Sequence, residues 1–162
     1  MKTLAYLAIA AMLLAVSGCS KFIEYTGPEV TRVIVDKSTR SMMLMHHDTV
    51  LETYEVELGL APAGHKGAEG DGRTPEGEFL VDRRNPNSEY YLSIGINYPR
   101  PEDIAAAEEA GIDPGGDIFI HGTPRPFAQI DDWTAGCIAV TNREMRQIYA
   151  MVQDGTPITI LP

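Results

Sequence analysis

Two side chains in the C-terminal part of the chain are of the types that nucleophilic catalysis uses. His121 is followed by a glycine, and Cys137 lies sixteen positions further along, in a turn-like Thr-Ala-Gly-Cys segment. A free thiol has a pKa of about 8.5 and is only a few per cent thiolate at neutral pH, so it needs a base such as an imidazole beside it. The alternative interpretation is a buried cysteine that packs as a small apolar side chain.

The residues that precede Cys137 favour an exposed thiol. Gly136 permits an unusual backbone conformation or the close approach of a substrate, and Thr134 suits a turn. A cysteine on such a turn has backbone N–H groups beside it that can stabilise an oxyanion. Trp133, the only tryptophan of the chain, is interpreted either as a wall of the pocket or as a packing residue.

Neighbouring strands would have to bring the two side chains together. The segment 117–121 is a short apolar run that ends at His121, and the segment 138–140 directly follows Cys137. If these two strands are neighbours in one sheet, the loop 122–136 returns to the end of the sheet from which it started. His121 and Cys137 are then close in space although they are sixteen positions apart in sequence. The predicted pair therefore depends on the fold and not on local spacing.

The remaining pattern predicts a mainly β fold. Branched and aromatic residues are separated by polar turns after residue 30, and Gly and Pro are concentrated in a loop over residues 61–78. Pro101 opens one helix that Gly111 ends, and Thr141 or Asn142 caps another that runs to about Val152. The predicted strands cover residues 30–35, 41–46, 50–58, 79–82, 90–96, 117–121, 138–140 and 156–161. We therefore expect a mainly β domain with two helices and a sandwich-like or barrel-like sheet.

Length and charge restrict the class of protein. The chain of 162 residues favours a single folded domain. Its formal net charge of −10 argues against nucleic acid or anionic lipid as the main partner.

The N-terminal segment predicts export. Lys2 precedes an apolar run, Leu4–Val16, which is too short to favour a membrane-spanning helix. The segment Val16-Ser17-Gly18-Cys19 resembles a bacterial lipobox, which implies cleavage before Cys19 and acylation of its thiol. We expect a signal peptide over residues 1–18, a lipidated tether over 19–29 and a folded domain over 30–162. An ordinary secretory signal with a chance cysteine is the alternative.

The residue after Cys19 bears on location. By resemblance to lipoproteins of Gram-negative bacteria, Ser20 in this position is typical of the periplasmic face of the outer membrane. We therefore expect a lipid-anchored bacterial protein at that surface.

The cysteine count leaves Cys137 without a disulfide partner if Cys19 carries lipid. A metal site would need further ligands at close spacing, such as a CxxC motif, and the chain has none. His46 and His47 are adjacent, and neighbouring side chains of a strand point to opposite faces, so they are not expected to hold one ion. No metal and no cofactor are predicted.

Two segments resemble the YkuD-type family of L,D-transpeptidase catalytic domains. Residues 120–142, IHGTPRPFAQIDDWTAGCIAVTN, match the pattern of His-Gly, a loop, Ser/Thr-x-Gly-Cys and a hydrophobic strand. Residues 69–79, EGDGRTPEGEF, resemble an upstream motif of that family, and residues 85–122 resemble its YafK-like subgroup. The resemblance spans roughly residues 30–162 and includes two separate motifs in the expected order.

The resemblance implies roles for the residues that match. Cys137 would be the nucleophile and His121 its general base, which the backbone carbonyl of Gly122 would orient. The backbone N–H groups of Gly136 and Cys137 would hold the oxyanion.

Substrate contacts are expected from Trp133, Thr134 and Arg73, with a structural role in its own loop as the alternative for Arg73. Many family members have histidine at the position of Ala135 and arginine at that of Ala139. These departures put the substrate contacts of those side chains in doubt, although they leave the nucleophile and base in place.

Three more polar residues lie in the loops. His65 is interpreted either as part of the cleft or as a surface residue of the Gly-rich loop. Asp131 and Asp132 would orient His121 or bind an amine of the substrate, or they are solvated loop carboxylates.

The implied activity is acyl transfer through a thioester on peptidoglycan stem peptides. The thiol would attack the carbonyl of the third residue of a stem tetrapeptide and expel the terminal D-alanine. Hydrolysis of the same linkages, which releases a stem peptide or a wall-bound lipoprotein, is one alternative, and a non-catalytic wall-binding lipoprotein is another. The expected partners are stem peptides and, through the lipid anchor, the membrane.

Overall fold

Eight β-strands and two α-helices make up the part of the chain that the structure, a computed structural model, describes: residues 20–162. The strands are β1 (Arg32–Asp36), β2 (Ser41–His46), β3 (Thr49–Glu55), β4 (Gly77–Asn85), β5 (Ser93–Ile96), β6 (Phe119–Gly122), β7 (Ile138–Val140) and β8 (Pro157–Leu161). The helices are α1 (Pro101–Ala110) and α2 (Asn142–Met151), and a 3₁₀ turn covers Arg125–Phe127. The predicted signal peptide and the predicted acylation site Cys19 lie outside the described residues.

The strands form one mixed sheet in the order β3-β2-β1-β8-β4-β5-β6-β7. Two neighbouring pairs, β1 with β8 and β6 with β7, are parallel. Beyond the end of β3, Glu57 pairs with Ala139 of β7 and Gly59 pairs with Thr134, so the two edges of the sheet meet. The sheet is therefore nearly closed, and the predicted mainly β, barrel-like fold with two helices is confirmed.

Alternation along the strands builds the core inside this sheet. Val33 and Val35 of β1 are fully buried and lie opposite Leu44 and Met42 of β2. The residues between them on each strand are less buried, as a side-chain period of two requires. Met42 therefore packs in the core, as its place in an apolar strand predicts.

Helix α2 packs against β5 and β6 and supports the strands that carry the site. Its buried residues Met145, Ile148 and Met151 recur at the spacing of one helical face. Thr141 Oγ1 accepts the backbone N–H of Glu144 at 3.3 Å, and the Glu144 carboxylate accepts the N–H of Thr141 at 2.9 Å. This capping box fixes the start of α2 at the predicted place, directly after β7.

A buried lysine, Lys37, holds the Gly-rich loop between β3 and β4 against the sheet. Its ammonium donates to the backbone oxygens of Gly64 at 2.7 Å and Thr74 at 3.0 Å, and to the Glu76 carboxylate at 2.7 Å. A buried charge is tolerated only when it is paired and hydrogen-bonded, and these three acceptors meet that condition. The loop is therefore fixed to the sheet at both of its ends.

A second buried lysine, Lys66, organises the middle of the same loop. Its ammonium donates to the Ala68 carbonyl at 2.9 Å and to Asp71 at 3.0 Å. Burial alone would raise the pKa of Asp71, but hydrogen bonds from the N–H groups of Arg73, Gly67 and Ala68 and from Lys66 outweigh burial and lower the pKa to about 2. The carboxylate of Asp71 thus stays ionised and keeps the loop folded.

Strand β4 is longer than the predicted segment 79–82 because its charged residues find partners. The guanidinium of Arg83 lies over the ring of Phe119 at 4.6 Å, and that of Arg84 lies over the ring of Tyr149 at 4.0 Å. Arginine stems pack along apolar surface while the charged heads stack on aromatic faces, so both residues remain in the strand.

Positive backbone φ angles account for two other differences. Strand β5 begins at Ser93 and not at residue 90, and Tyr91 before it has a φ of +76°. His47 has a φ of +52° and lies in the turn beyond β2, so its predicted orientation opposite to His46 is wrong: the two rings are 4.5 Å apart.

Within residues 20–162 no group of three or more His, Cys, Asp or Glu side chains is placed to hold a metal ion.

The predicted tether lies against the domain at its start. The Lys21 ammonium donates to the backbone oxygen of Pro86, and the ring of Phe22 is 6.1 Å from that of Tyr149. Across the described part of the chain, neither helix has the length and apolar character to cross a membrane.

Candidate active site

Two parallel strands at the edge of the sheet carry the predicted catalytic pair. His121 belongs to β6 and aligns with Ala139 of β7, and Cys137 directly precedes β7. Aligned residues of neighbouring strands point to the same face, and residues two apart on one strand share a face. Cys137 and His121 therefore project to the same side of two adjacent strands, as the sequence predicts.

Both side chains line one cleft of about 410 Å³. The imidazole of His121 is 3% exposed, whereas Cys137 is partly exposed. The remaining lining residues come from β4, β5, β6 and the segments around them: Asn85, Ser88, Glu89, Tyr90, Ser93, Asp117 and Phe119. The thiol thus faces an open cleft and is not sealed in the apolar core.

The ring of His121 is held in one orientation. Its Nδ1 is 2.8 Å from the backbone oxygen of Gly122, and since a carbonyl oxygen only accepts, Nδ1 carries the hydrogen and Nε2 keeps a free lone pair. The ring stacks on Tyr90 with centroids 4.4 Å apart and meets the edge of Trp133 at 5.6 Å. The hydrogen bond to Gly122 is the one that the resemblance implied.

Burial sets the charge of this imidazole. It lowers the pKa of His121 below its ordinary value, and the hydrogen bond to the Gly122 carbonyl offsets only part of that effect. His121 is therefore neutral at neutral pH, with Nε2 free to accept a proton.

The thiol of Cys137 rests against the backbone and not against the imidazole. Its Sγ donates to the backbone oxygen of Asp117 at 3.5 Å. Burial raises the pKa of Cys137, a hydrogen bond from the N–H of Phe119 lowers it in part, and the charge of Asp117 raises it further. Among residues 20–162, no hydrogen bond joins Cys137 to His121. The resting pair is therefore a neutral thiol and a neutral imidazole, and the proton has to move when a substrate is attacked.

These two pKa shifts predict the pH dependence of thiol alkylation. Because the pKa of Cys137 is raised, its thiolate forms only at a higher pH than that of an ordinary thiol. We expect iodoacetamide to react slowly at about pH 6 and progressively faster above about pH 9. Mass spectrometry of the protein covering residues 20–162, which has no other cysteine, measures the rate directly. Fast alkylation that does not vary between about pH 5 and pH 7 would instead indicate a preformed thiolate–imidazolium pair.

The turn before Cys137 is held by Thr134. Its hydroxyl is buried, accepts the N–H of Gly136 at 3.1 Å and donates to the backbone oxygen of Cys137 at 2.7 Å. The structure therefore gives Thr134 a structural role in holding the turn, and its contact with substrate stays a prediction. Since the N–H of Gly136 already has an acceptor, its role in holding an oxyanion stays a prediction.

Gly136 is required by its surroundings. Its φ is +135°, and a Cβ at this position would lie 2.5 Å from the backbone oxygen of Arg73. The backbone of Arg73 thus packs directly beneath the catalytic turn, while its exposed side chain extends towards Gly64 and is not part of the cleft wall. These contacts favour the structural alternative for Arg73.

Trp133 combines the two roles considered for it. Its ring stacks on Phe127 with centroids 4.4 Å apart and at 12°, and its edge meets His121. The indole therefore both packs the loop 122–136 and backs the imidazole.

The other polar candidates serve the structure elsewhere. Asp132 pairs with Arg40 at 2.6 Å and accepts the N–H of Leu58 at 3.1 Å, so it does not orient His121. Asp131 is exposed at a separate groove. Nε2 of His65 is 3.2 Å from Asp103 of α1, away from the cleft.

The two alanines that depart from the family pattern differ in their exposure. Ala135 is exposed on the turn, whereas Ala139 is fully buried on the floor of a groove of about 310 Å³ that is separate from the cleft. Neither alanine lines the cleft that contains the thiol.

Sequence reasoning assigned no role to Tyr90 or Asp117. Tyr90 follows the turn 85–87, and the only signal for it was its place in the motif that resembles the YafK-like subgroup. Asp117 has a φ of +54°, and its backbone oxygen accepts the hydrogen bond of the thiol. A contact made by a backbone atom leaves no signal in the pattern of side chains.

The tight surroundings of Gly122 give a prediction about His121. A Cβ on Gly122 would overlap Oδ1 of Asn142 and lie 2.8 Å from the backbone oxygen of Tyr90. We expect Gly122→Ala to lower the free energy of unfolding by about 1–3 kcal/mol. Because the shifted carbonyl no longer orients Nδ1, activity should fall by about 100-fold. Thermal denaturation and turnover measure the two effects.

Gly116→Ala is the matched control for this change. A Cβ on Gly116 would meet only Pro99, at an ordinary 3.6 Å. Equal losses in the two variants would show that the carbonyl of Gly122 has no special role.

Comparisons with known proteins identify a family for the chain. A family model, that of the YkuD L,D-transpeptidase catalytic domain, matches residues 30–160. YkuD of Bacillus licheniformis, named as an L,D-transpeptidase, is 26% identical over 136 residues, which cover 81% of this chain and 66% of the relative. YafK of Escherichia coli K12, also named as an L,D-transpeptidase, is 31% identical over 105 residues, which cover 64% of this chain and 37% of the relative.

A solved structure shows the same fold. The helical cell shape determining protein Pgp2 of Campylobacter jejuni superposes with a TM-score of 0.65 at 25% identity. The match covers 91% of this chain and 53% of Pgp2, so the chain spans about half the length of that protein.

Proposed function

The chain belongs to the YkuD family of L,D-transpeptidase catalytic domains, and from this membership and the geometry of its cleft we propose that it is a cysteine acyltransferase acting on peptidoglycan stem peptides. The observation that carries the proposal is the placement of Cys137 and His121 in one cleft. The imidazole is fixed by Gly122, and its Nε2 is left free to act as a base.

The first half of the reaction forms a thioester. Sγ of Cys137 attacks the carbonyl carbon of the third residue of the stem while the thiol proton passes to Nε2 of His121. The backbone N–H of Cys137, with that of Gly136 if it turns from Thr134, stabilises the oxyanion. When the tetrahedral intermediate collapses, the C–N bond breaks, and the imidazolium gives its proton to the departing amine of D-alanine.

The second half resolves the thioester. An amine of another stem peptide, or water, attacks the thioester carbonyl while His121 accepts its proton and returns it to the leaving sulfur. An amine yields a crosslink and water yields a tripeptide, so the same residues serve transpeptidation and hydrolysis.

The neutral resting pair suits this sequence of steps. A protonated thiol has to lose its contact with Asp117 before its proton reaches His121. A bound peptide displaces water from the cleft, so a separate thiolate and imidazolium are disfavoured there. The proton therefore moves to His121 while the sulfur attacks the carbonyl carbon. We infer that binding of substrate, and not a standing thiolate, starts the reaction.

We further propose that the protein is exported and anchored by lipid on Cys19 at the periplasmic face of the outer membrane. The apolar leader, the lipobox and Ser20 in the sequence support this location. Growth with an alkyne analogue of palmitate should label the full chain but not a Cys19→Ala variant. Equal labelling of both would contradict acylation at this cysteine.

The proposed activity is tested with purified muropeptides that carry tetrapeptide stems. The protein covering residues 20–162 is incubated with them, and the products are separated and weighed by mass spectrometry. Crosslinked dimers would establish transpeptidation, and tripeptides would establish hydrolysis. A carbapenem should add to Cys137 as an acyl adduct. If neither product nor adduct forms, the proposal is wrong and the non-catalytic alternative stands.

A further inference from the structure

The guanidinium of Arg83, which contacts two residues of the cleft lining, has no part in the steps above. Arg83 of β4 stacks over the ring of Phe119, which lines the cleft, at 4.6 Å. Its Nη1 donates to the backbone oxygen of Ile96 at 3.0 Å and to Oδ1 of Asp82 at 2.8 Å, and its Nη2 is 3.5 Å from Oδ1 of Asp117. The side chain is therefore fixed against two residues of the cleft lining, Phe119 and Asp117, and its Nη2 faces the second of them.

Gly95 makes this placement possible. It lies opposite Arg83 in the neighbouring strand β5, and a Cβ there would lie 2.6 Å from Cγ and 2.7 Å from Nε of Arg83. The aliphatic part of the Arg83 side chain thus passes over Gly95 of β5, which has no side chain, and reaches Phe119 on the next strand, β6.

One residue separates this guanidinium from the sulfur. The backbone oxygen of Asp117 contacts Sγ of Cys137 at 3.5 Å, while the carboxylate of the same residue faces Nη2 of Arg83 at 3.5 Å. A peptide whose scissile carbonyl lies at Sγ places the carboxylate of the next residue one residue length away, about 3.3–3.6 Å further along the chain. For a peptide that runs from Sγ past Asp117, we infer that the terminal carboxylate approaches Nη2 of Arg83.

The positive charge of Arg83 contrasts with the acidic residues that line the cleft. The chain has a formal net charge of −10, and the ionisable lining residues other than the catalytic pair and Tyr90 are the acids Glu89 and Asp117. The Asp117 carboxylate is 91% exposed, and its contact with Arg83 is long, so the pair is weak and easily exchanged. A carboxylate on the substrate can therefore replace Asp117 on Nη2.

We propose that Arg83 binds the free terminal carboxylate of the residue that leaves the stem peptide, and so restricts the enzyme to the last peptide bond. The inference rests on the proposed function, because it assumes a peptide with its scissile carbonyl at Cys137. A planar guanidinium fits a carboxylate with two parallel hydrogen bonds, which an amide at the same position cannot accept in full.

The test compares a tetrapeptide stem with the same stem ending in an amide. Binding is measured by calorimetry in a Cys137→Ala background, so that it does not depend on turnover, and KM and kcat are measured with Cys137 intact. We expect Arg83→Gln to weaken binding of the free acid about tenfold and to leave binding of the amide unchanged. The effect should appear in KM more than in kcat.

Two further variants separate recognition from structural support. Gly95→Ala keeps the charge of Arg83 but pushes its stem aside, so it should reproduce the loss for the free acid. Asp117→Asn removes the competing carboxylate, and asparagine tolerates a positive φ, so it should strengthen binding of the free acid by about two- to fivefold. A merely structural arginine would produce no such gain.

Arg32→Gln is the control, since within residues 20–162 the partners of Arg32 are Thr159 of β8 and Glu78 of β4, which lie outside the cleft. It removes the same charge and should leave both affinities unchanged. If Arg83→Gln retains the full preference for the free acid, the inference is overturned while the proposed function stands. If the Cys137→Ala protein binds neither peptide and the protein with Cys137 forms no acyl-enzyme, both fail together.

Discussion

Replacing Cys137 with alanine is expected to abolish acyl-enzyme formation and to reduce turnover of tetrapeptide stems by at least about 10⁴-fold. No other thiol exists within residues 20–162, so no second nucleophile of this kind can take its place in that protein. Mass spectrometry of the intact protein after mixing with a muropeptide or a carbapenem detects the adduct, and product release gives the rate.

The fold should survive this change. Cys137 is partly exposed, and its sulfur makes only weak hydrogen bonds with the backbone of Asp117 and Phe119, so Cys137→Ala should alter the melting temperature little. Cys137→Ser is the stricter variant, since it keeps a hydroxyl of similar size near His121 and lacks only the nucleophilicity of sulfur. Substantial turnover by either variant would place the chemistry at another residue.

The second large effect is expected from His121→Asn. The asparagine amide can still donate to the Gly122 carbonyl in place of Nδ1, but no atom remains where Nε2 stood. Without the base, the thiol proton has no acceptor during attack, and acylation should slow by about 10²–10⁴-fold. Stopped-flow measurement of carbapenem acylation gives this rate.

A comparison of two reactions shows whether the loss belongs to proton transfer. Alkylation of Cys137 above about pH 9 uses a thiolate formed by hydroxide, so it should be similar in His121→Asn and in the unaltered protein. Acylation by the variant should also recover in part as the pH rises. If acylation stays within about threefold of normal, His121 is not the base; if alkylation is lost as well, the change has damaged the turn.

Much of the fold could be predicted because its signals are local. The bounds of β2, β7 and α1 in the structure are those that apolar runs, Pro101 and Gly111 predict. The catalytic hypothesis required the strands that carry His121 and Cys137 to be neighbours, and the structure pairs β6 with β7.

The parts that could not be predicted depend on contacts between distant backbone atoms. The pairing of Glu57 with Ala139, which closes the sheet, involves residues far apart in sequence with no distinctive side-chain pattern. Thr134 has the residue type of a substrate contact, and only the structure shows that both functions of its hydroxyl are already used. Arg83 belonged to no motif that the sequence reasoning used, because its importance comes from Gly95 and Phe119 on other strands.

The contact between the Cys137 thiol and the Asp117 carbonyl has a consequence for resistance to oxidation. Peroxides attack thiolates far faster than thiols, and sulfenic acid is the first step towards irreversible damage. A thiol that keeps its proton and donates it in a hydrogen bond to a backbone oxygen, while burial raises its pKa, is a poor target for such oxidants. The Cys137 thiol is thus held in a form that reacts slowly with oxidants while it keeps its hydrogen bond to Asp117.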